Sequence, residues 1–285
     1  MVKRMVRDAI PDAMWVGSVE KLERVVALGR EIQAKTHAQV ELALKETAAA
    51  RKAEFVRRRY LTDDDDISAL WRDENKREIQ AAKDSIPLTL SVKLAAYGEE
   101  IKGKPEEVLS LIDAPEDVRS VTLRLGLDGY LPYGVPEHSG FRISIDKTGA
   151  AAVIFGQSRE WIDMVRAPIL RELRRQKPWY SWTRRLLPTV VFSNVPLTLP
   201  LTVWATAIWS SSSPYAWSGW VVYGVAVTLG LLSGMFLWPR LIPMFELVPV
   251  GVESRGRRVI GILGASSLWV MGTIFVPIVL QRIFQ

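Results

Sequence analysis

The sequence predicts an α+β domain in the order β-α-β-β-β-α, preceded by a long helical arm and followed by a C-terminal helical membrane domain of three transmembrane spans. Three observations carry this. Residues 19–60 contain no proline and a single glycine, Gly29, among good helix formers. Apolar and polar residues alternate with period two in several short runs between 86 and 155. No Asp, Glu, Lys, Arg or His lies between Arg185 and Arg240, and a second uncharged run covers 259–281. A helix needs about 20 mostly apolar residues to cross the hydrocarbon core, so the first run has room for two crossings and the second for one.

Composition sets outer bounds. The chain has 285 residues, a formal charge of +6 and no cysteine. Disulfides, thiolate metal sites and a cysteine nucleophile are therefore excluded. A basic balance raises nucleic acid as a partner. Lys177, Arg184, Arg185, Arg240, Arg255, Arg257 and Arg258, however, flank the apolar runs, where the positive-inside rule places such charge, so nucleic acid is not expected. Residues 1–18 include Lys3, Arg4 and Arg7 but no apolar stretch of the kind a signal peptide needs.

The arm, residues 1–85, comes first. After Ser18, a plausible N-cap, apolar positions recur at Leu22, Val25, Val26, Gly29 and Ile32, then more weakly at Val40, Ala43, Ala50 and Ala53. That stripe suits a coiled coil, a helical hairpin or a long helix packed on its own domain. Arg57, Arg58 and Arg59 complement the negative end of the helix dipole. The run Asp63–Asp66 lacks the alternating spacing and glycine of a calcium loop, so it is expected to cap the next helix, 67–83, rather than hold a metal.

The α/β domain, 86–178, follows. Ile86, Leu88, Leu90, Val92 and Leu94 alternate with Thr89, Ser91 and Lys93 as a strand. Pro105 opens a short helix. Val121, Leu123 and Leu125 lie on one face of a second strand; Phe141, Ile143 and Ile145 lie on one face of a third. Asp146-Lys147-Thr148-Gly149 is a hairpin turn leading to a return strand, 150–155. Ser158 caps a helix to about Gln176, with Trp161, Ile162, Val165, Ile169, Leu170 and Leu173 on one side and Pro168 inside it. The loop 126–140, with Tyr130, Tyr133, Glu137 and His138, is the best candidate for a ligand contact.

The membrane domain is assigned to 179–285, with spans at about 187–209, 217–238 and 259–280. Trp179, Trp182, Arg184 and Arg185, with Trp209, Trp217, Trp220 and Trp238, read as interfacial anchors in two aromatic belts. Asn194, Gly230, Gly234, Gly261 and Ala265 read as helix-packing positions. The basic bias of the loops predicts a multi-pass cell-membrane protein with its N-terminus in the cytoplasm.

Chemistry has little to stand on. His37 and His138 have no HExxH-type partner, and there is no Walker lysine motif, GxGxxG or GxSxG. No enzyme activity, cofactor or metal is expected. The expected function is a membrane-tethered binding or regulatory protein, a sensor or scaffold. Its partners are the lipid bilayer, further copies of the chain through the spans or the N-terminal helix, and an unidentified cytoplasmic protein or ligand. The alternative is a membrane-perturbing effector of toxin or defence type whose spans oligomerise when the cytoplasmic domain is triggered.

Overall fold

A computed structural model describes residues 4–9, 14–59, 64–95, 98–126, 139–156, 158–184 and 238–270, with the isolated positions 228 and 273. The central element is a six-stranded sheet. It is built from β1 (Arg4–Ala9), β3 (Leu88–Leu94), β4 (Glu100–Gly103), β5 (Val118–Leu125), β6 (Gly140–Asp146) and β7 (Gly149–Gly156). The spatial order is β1-β7-β6-β5-β3-β4, every neighbouring pair being antiparallel. A second, two-stranded sheet pairs β2 (Trp15–Gly17) in parallel with β8 (Phe245–Leu247).

The alternation along β3, β5, β6 and β7 decides which face is buried. Leu88, Leu90 and Val92, then Val121, Leu123 and Leu125, then Phe141, Ile143 and Ile145, then Ala152 and Ile154 all lie in one core cluster. Successive side chains of a strand point to opposite faces, so one face is apolar and the other polar. At the β6–β7 turn Gly149 has φ +107°, a left-handed backbone that glycine adopts without steric cost. The register slips between Lys93 and Leu94, so that Lys93 pairs with Ser120 and Leu94 with Val118, leaving Arg119 as the extra residue of a bulge.

Two helices seal the apolar face. One is α1 (Val19–Glu46), whose buried residues Leu22, Val25, Val26, Gly29, Ile32, Thr36, Val40 and Leu44 recur every three to four positions as a single stripe. The other is α5 (Arg159–Arg175), buried along Trp161, Ile162, Val165, Ile169 and Leu173. The Ser158 hydroxyl accepts from the Trp161 backbone N–H at 3.3 Å, capping α5. Gly29 lets α1 approach the sheet, since a Cβ there would meet Leu123 Cδ2 at 3.0 Å and Leu88 Cδ1 at 3.3 Å. The short helix α4 (Pro105–Ser110) fills in beside β3 and β4 with Val108 buried.

A buried polar contact ties the two covering helices. The Trp161 indole N–H donates to the Thr36 hydroxyl at 3.2 Å, and that hydroxyl donates to the Ile32 carbonyl at 2.8 Å. Thr36→Val keeps the shape but strands the indole donor. A loss of about 1–3 kcal/mol is expected in chemical unfolding. A loss below about 0.5 kcal/mol would show that this bond does little.

The long helix expected from Val19 to about Tyr60 is divided at Thr47 into α1 and α2 (Ala48–Arg59). The Thr47 hydroxyl donates back to the Ala43 carbonyl at 3.0 Å, a competition with the helical ladder that bends helices. Arg51 Nη1 donates to the Leu44 carbonyl at 3.1 Å and so occupies an acceptor at the break. The return helix α3 (Asp64–Asp84) packs on both. Phe55 meets Trp71 at 5.6 Å between ring centroids, and Arg51 lies over Trp71 while pairing with Glu78.

Glu41 pairs with Lys45 of its own helix at 2.7 Å and with Lys83 of α3 at 2.6 Å, the second contact joining α1 to α3. Lys45 and then Lys83 hold its carboxyl down from 4.5 to about 2. A depressed carboxylate stabilises the fold above its ordinary value of 4.5, and that stabilisation is lost as pH falls through about 2. The urea midpoint of the native chain should therefore fall more steeply between those pH values than that of Glu41→Gln. Equal slopes would remove Glu41 from the acid response.

The C-terminal part corrects the membrane reading. Among the described residues no helix is long and apolar enough to cross a membrane. The three-span domain, the integral multi-pass assignment and the cell-membrane location with a cytoplasmic N-terminus are therefore not supported. The chain shows a mixed α/β fold with two sheets among its described residues. The third expected span, 259–280, overlaps a helix at Arg255–Val270, here α7, of 16 residues, and most positions beyond it lie outside the described residues. Its first turns carry Arg255, Arg257 and Arg258. They are fixed to the globular body through Tyr180, whose hydroxyl bonds the Ser254 hydroxyl at 2.8 Å and whose ring fills the space beside Gly256. The segment 239–251 holds the end of α6 (Trp238–Leu241) and β8, with Ile242, Phe245, Leu247 and Val248 buried. The expected spans 187–209 and 217–238 lie outside the described residues apart from Thr228 and Trp238.

Candidate functional site

The polar face of the six-stranded sheet is the most developed candidate surface. The apolar face is covered by α1, α4, α5 and β8, and no described element packs over the opposite one. Register sorts the residues of that outer face into rows. Thr89 stands opposite Arg124, Arg124 opposite Arg142, and Arg142 opposite Val153, with Arg7 of β1 at the same level beyond Val153. The next row is Lys102, Ser91, Thr122, Ser144 and Ala151. On the other side of the arginine row, Gly140 stands opposite Phe155.

Each position has a local cause. Arg124 lies between buried Leu123 and Leu125, and Arg142 between buried Phe141 and Ile143, so the pleat turns both outward. Arg142 is exposed and Arg124 is half-buried. Phe155 lies across the bare backbone of Gly140, where a Cβ would come within 2.6 Å of its Cζ. Farther along the strands, Glu100 accepts from the Ser91 hydroxyl at 2.6 Å and lies 3.6 Å from Lys93. That hydroxyl, with lesser help from Lys93 and Lys102, holds the Glu100 carboxyl below its ordinary value against the opposing effect of burial. Asp146 is engaged in its own turn, accepting from the backbone N–H and the hydroxyl of Thr148.

Two other features are weaker. A cleft of about 350 Å³ lies between β8 and the segment Glu116–Val118, with Glu116, Glu253, Arg255 and Arg258 among its walls. Its central carboxylate, Glu246, accepts from the Arg255 backbone N–H at 3.0 and 3.1 Å, capping α7. The second feature is α7 itself, which exposes Ile262 and Trp269.

The residues singled out from the sequence fall as follows. Trp179 and Trp182 lie in a short 3-10 turn, Trp179–Arg184, and are 65% and 40% exposed, so both stand at the surface. Gly261 and Ala265 are exposed positions of α7. Trp238 opens α6 and Arg184 ends the 3-10 turn. Arg185, Asn194, Trp209, Trp217, Trp220, Gly230 and Gly234 lie outside the described residues, as do positions 127–138 of the candidate ligand loop, including His138. His37 sits beside the Ile86 carbonyl, 3.4 Å from Nε2, where Gln33 also donates at 3.0 Å. Asp64, Asp65 and Asp66 form the first turn of α3. Among the described residues no three His, Cys, Asp or Glu side chains gather as a metal site would require.

Sequence reasoning passed over the outer face. The polar positions of each strand were visible, but the row appears only when β5 is aligned with β6 and β1 with β7. No family model matches the chain, and no curated protein or solved structure matches it either.

Proposed function

We propose that the chain is a binding or regulatory protein, a sensor or scaffold, rather than a catalyst. The observation that supports this reading is the asymmetry of the six-stranded sheet. One face is sealed by α1 and α5, while the other, carrying Arg124 and Arg142 in one row, has no described element over it. A broad flat face with fixed charges suits recognition of a large partner better than enclosure of a small substrate. The tethering half of the expected function is not carried forward, because no described helix is long and apolar enough to cross a membrane.

The test is capture by the full chain, immobilised and exposed to lysate of its own cells. A saturable, stoichiometric partner that is lost with Arg142→Ser supports the reading. Turnover of a small substrate by the purified chain, abolished by a point substitution outside the outer face, would overturn it.

A further inference from the structure

We propose that β4 is a self-association edge, at which two copies of the chain pair antiparallel about a two-fold axis through Ile101. The inference goes beyond the binding reading above and concerns a different part of the sheet.

β4 ends the six-stranded sheet, and no described strand pairs with its outer side. The phase of the β3–β4 ladder decides what that side offers. Leu94 N–H donates to the Glu99 carbonyl at 2.9 Å. Backbone groups alternate in direction along an antiparallel strand. Glu99, Ile101 and Gly103 therefore turn theirs toward β3, while Glu100 and Lys102 turn theirs outward. Neither Glu100 nor Lys102 has a backbone partner on that side among the described residues. An open row of this kind is a template for another strand. α4 lies on the core face of the β3–β4 pair, with Val108 in the core.

The sequence of the edge selects the partner. Residues that stand opposite must both turn outward or both turn inward, so only two-fold axes through Glu100, Ile101 or Lys102 keep the phase. An axis through Glu100 sets that carboxylate against its own copy, and an axis through Lys102 does the same with the ammonium. Like charges directly opposite destabilise a sheet. An axis through Ile101 instead sets Glu100 against Lys102 of the other copy, twice over. Each of these pairs exchanges both backbone bonds and holds unlike charges on strands about 5.5 Å apart at Cα. Glu99 then stands opposite Gly103, which has no side chain to meet it. Ile101, half-buried against the core, stands opposite its own copy at the closer, non-hydrogen-bonded spacing.

The charged side chains are placed for this. Both are exposed, and Lys102 has no ion pair among the described residues. Glu100 already holds Ser91 and Lys93, but a carboxylate offers about four lone-pair sites and can take a further ammonium. Charges on an edge commonly repel other strands. Here their spacing admits a second copy of the same strand. The axis stands perpendicular to the sheet, so the outer faces of the two copies lie on one side.

The chain has no cysteine, so a single introduced thiol reads the register directly. A non-hydrogen-bonded pair has its Cα atoms about 4.5 Å apart, within disulfide range. Mild oxidation of the full chain carrying Ile101→Cys should give a covalent dimer at least about tenfold faster than Lys147→Cys, an exposed position in the β6–β7 turn. Sedimentation equilibrium of the unaltered chain should show a dimer with a dissociation constant of roughly 10–100 μM, as a small interface gives. Lys102→Glu alone and Glu100→Lys alone should each weaken it at least about tenfold, because each sets like charges opposite. An equimolar mixture of the two variants should return to within about threefold of the unaltered chain, since unlike charges meet again at both pairs. A defect of folding would not be repaired by mixing. Should Ile101→Cys unfold by circular dichroism, the mixing experiment reads the same register. A monomer up to about 300 μM, oxidation no faster at Ile101→Cys than at Lys147→Cys, or a mixture no tighter than its components overturns the inference and leaves the β4 charges as a guard against other strands.

Discussion

Trp15→Ala is expected to lower the unfolding free energy by about 3–5 kcal/mol, the range for emptying a large aromatic site in a core. The indole is fully buried and stacks on Phe245 at 5.8 Å between ring centroids. It also fills the space above Gly17, where a Cβ would come within 2.5 Å of its ring. Truncation therefore opens a cavity and removes the aromatic stacking between β2 and β8, leaving only their backbone pairing. The two-stranded pair gains its stability from that stacking, because an isolated pair of three-residue strands is marginal in water. Urea unfolding followed by Trp fluorescence and by circular dichroism measures the loss, and protection of the Phe245–Leu247 amides should fall with it. A loss under about 1 kcal/mol would mean that the C-terminal strand is held by something else.

Gly29→Leu is the second large effect, and it acts by excess volume. The Cβ alone would press Leu123 Cδ2 at 3.0 Å and Leu88 Cδ1 at 3.3 Å, both ends of flexible side chains. Gly29→Ala gains helix propensity, up to about 1 kcal/mol, and meets only groups that can shift, so it should be close to neutral. Leucine adds three more carbons toward a sheet with no room for them and must lift α1 away. About 3 kcal/mol of destabilisation is expected, at the upper end for overpacked cores. The contrast between the two variants carries the test. Equal and small effects would show that α1 does not approach the sheet closely at this point.

Periodicity made much of the sheet readable in advance. Leu88, Leu90 and Val92 alternate so regularly that both the strand and its buried face follow, and the same holds for Phe141, Ile143 and Ile145. The stripe on α1 and the Ser158 cap of α5 are local signals of the same kind. What failed depends on partners far away in sequence. Met5 and Val6 do not announce a strand, and β1 exists because β7 offers an edge with matching register. Phe245–Leu247 sits between prolines and pairs with residues near the other end of the chain. Hydropathy in a window cannot tell an apolar run that crosses a bilayer from one attached to a folded body. Tyr180, Ser254 and Gly256, whose contact fixes the start of α7, are separated by too much sequence to be read together. The arginine row was missed for the same reason, since the loop between β5 and β6 conceals which residues of the two strands stand opposite.

The parallel pairing of β2 with β8 also fixes an order in time. Trp15 emerges from the ribosome about 230 residues before its partner Phe245. At about 5–20 residues per second, the indole waits on the order of ten to fifty seconds for its stacking surface. β1 waits for β7 in the same way, though for less of the chain. β1 and β2 are made well before the strands they pair with and are among the last to be placed. Through most of synthesis an apolar strand and a bare sheet edge stand open to other chains, so the growing polypeptide has its greatest need of chaperone cover at these two strands.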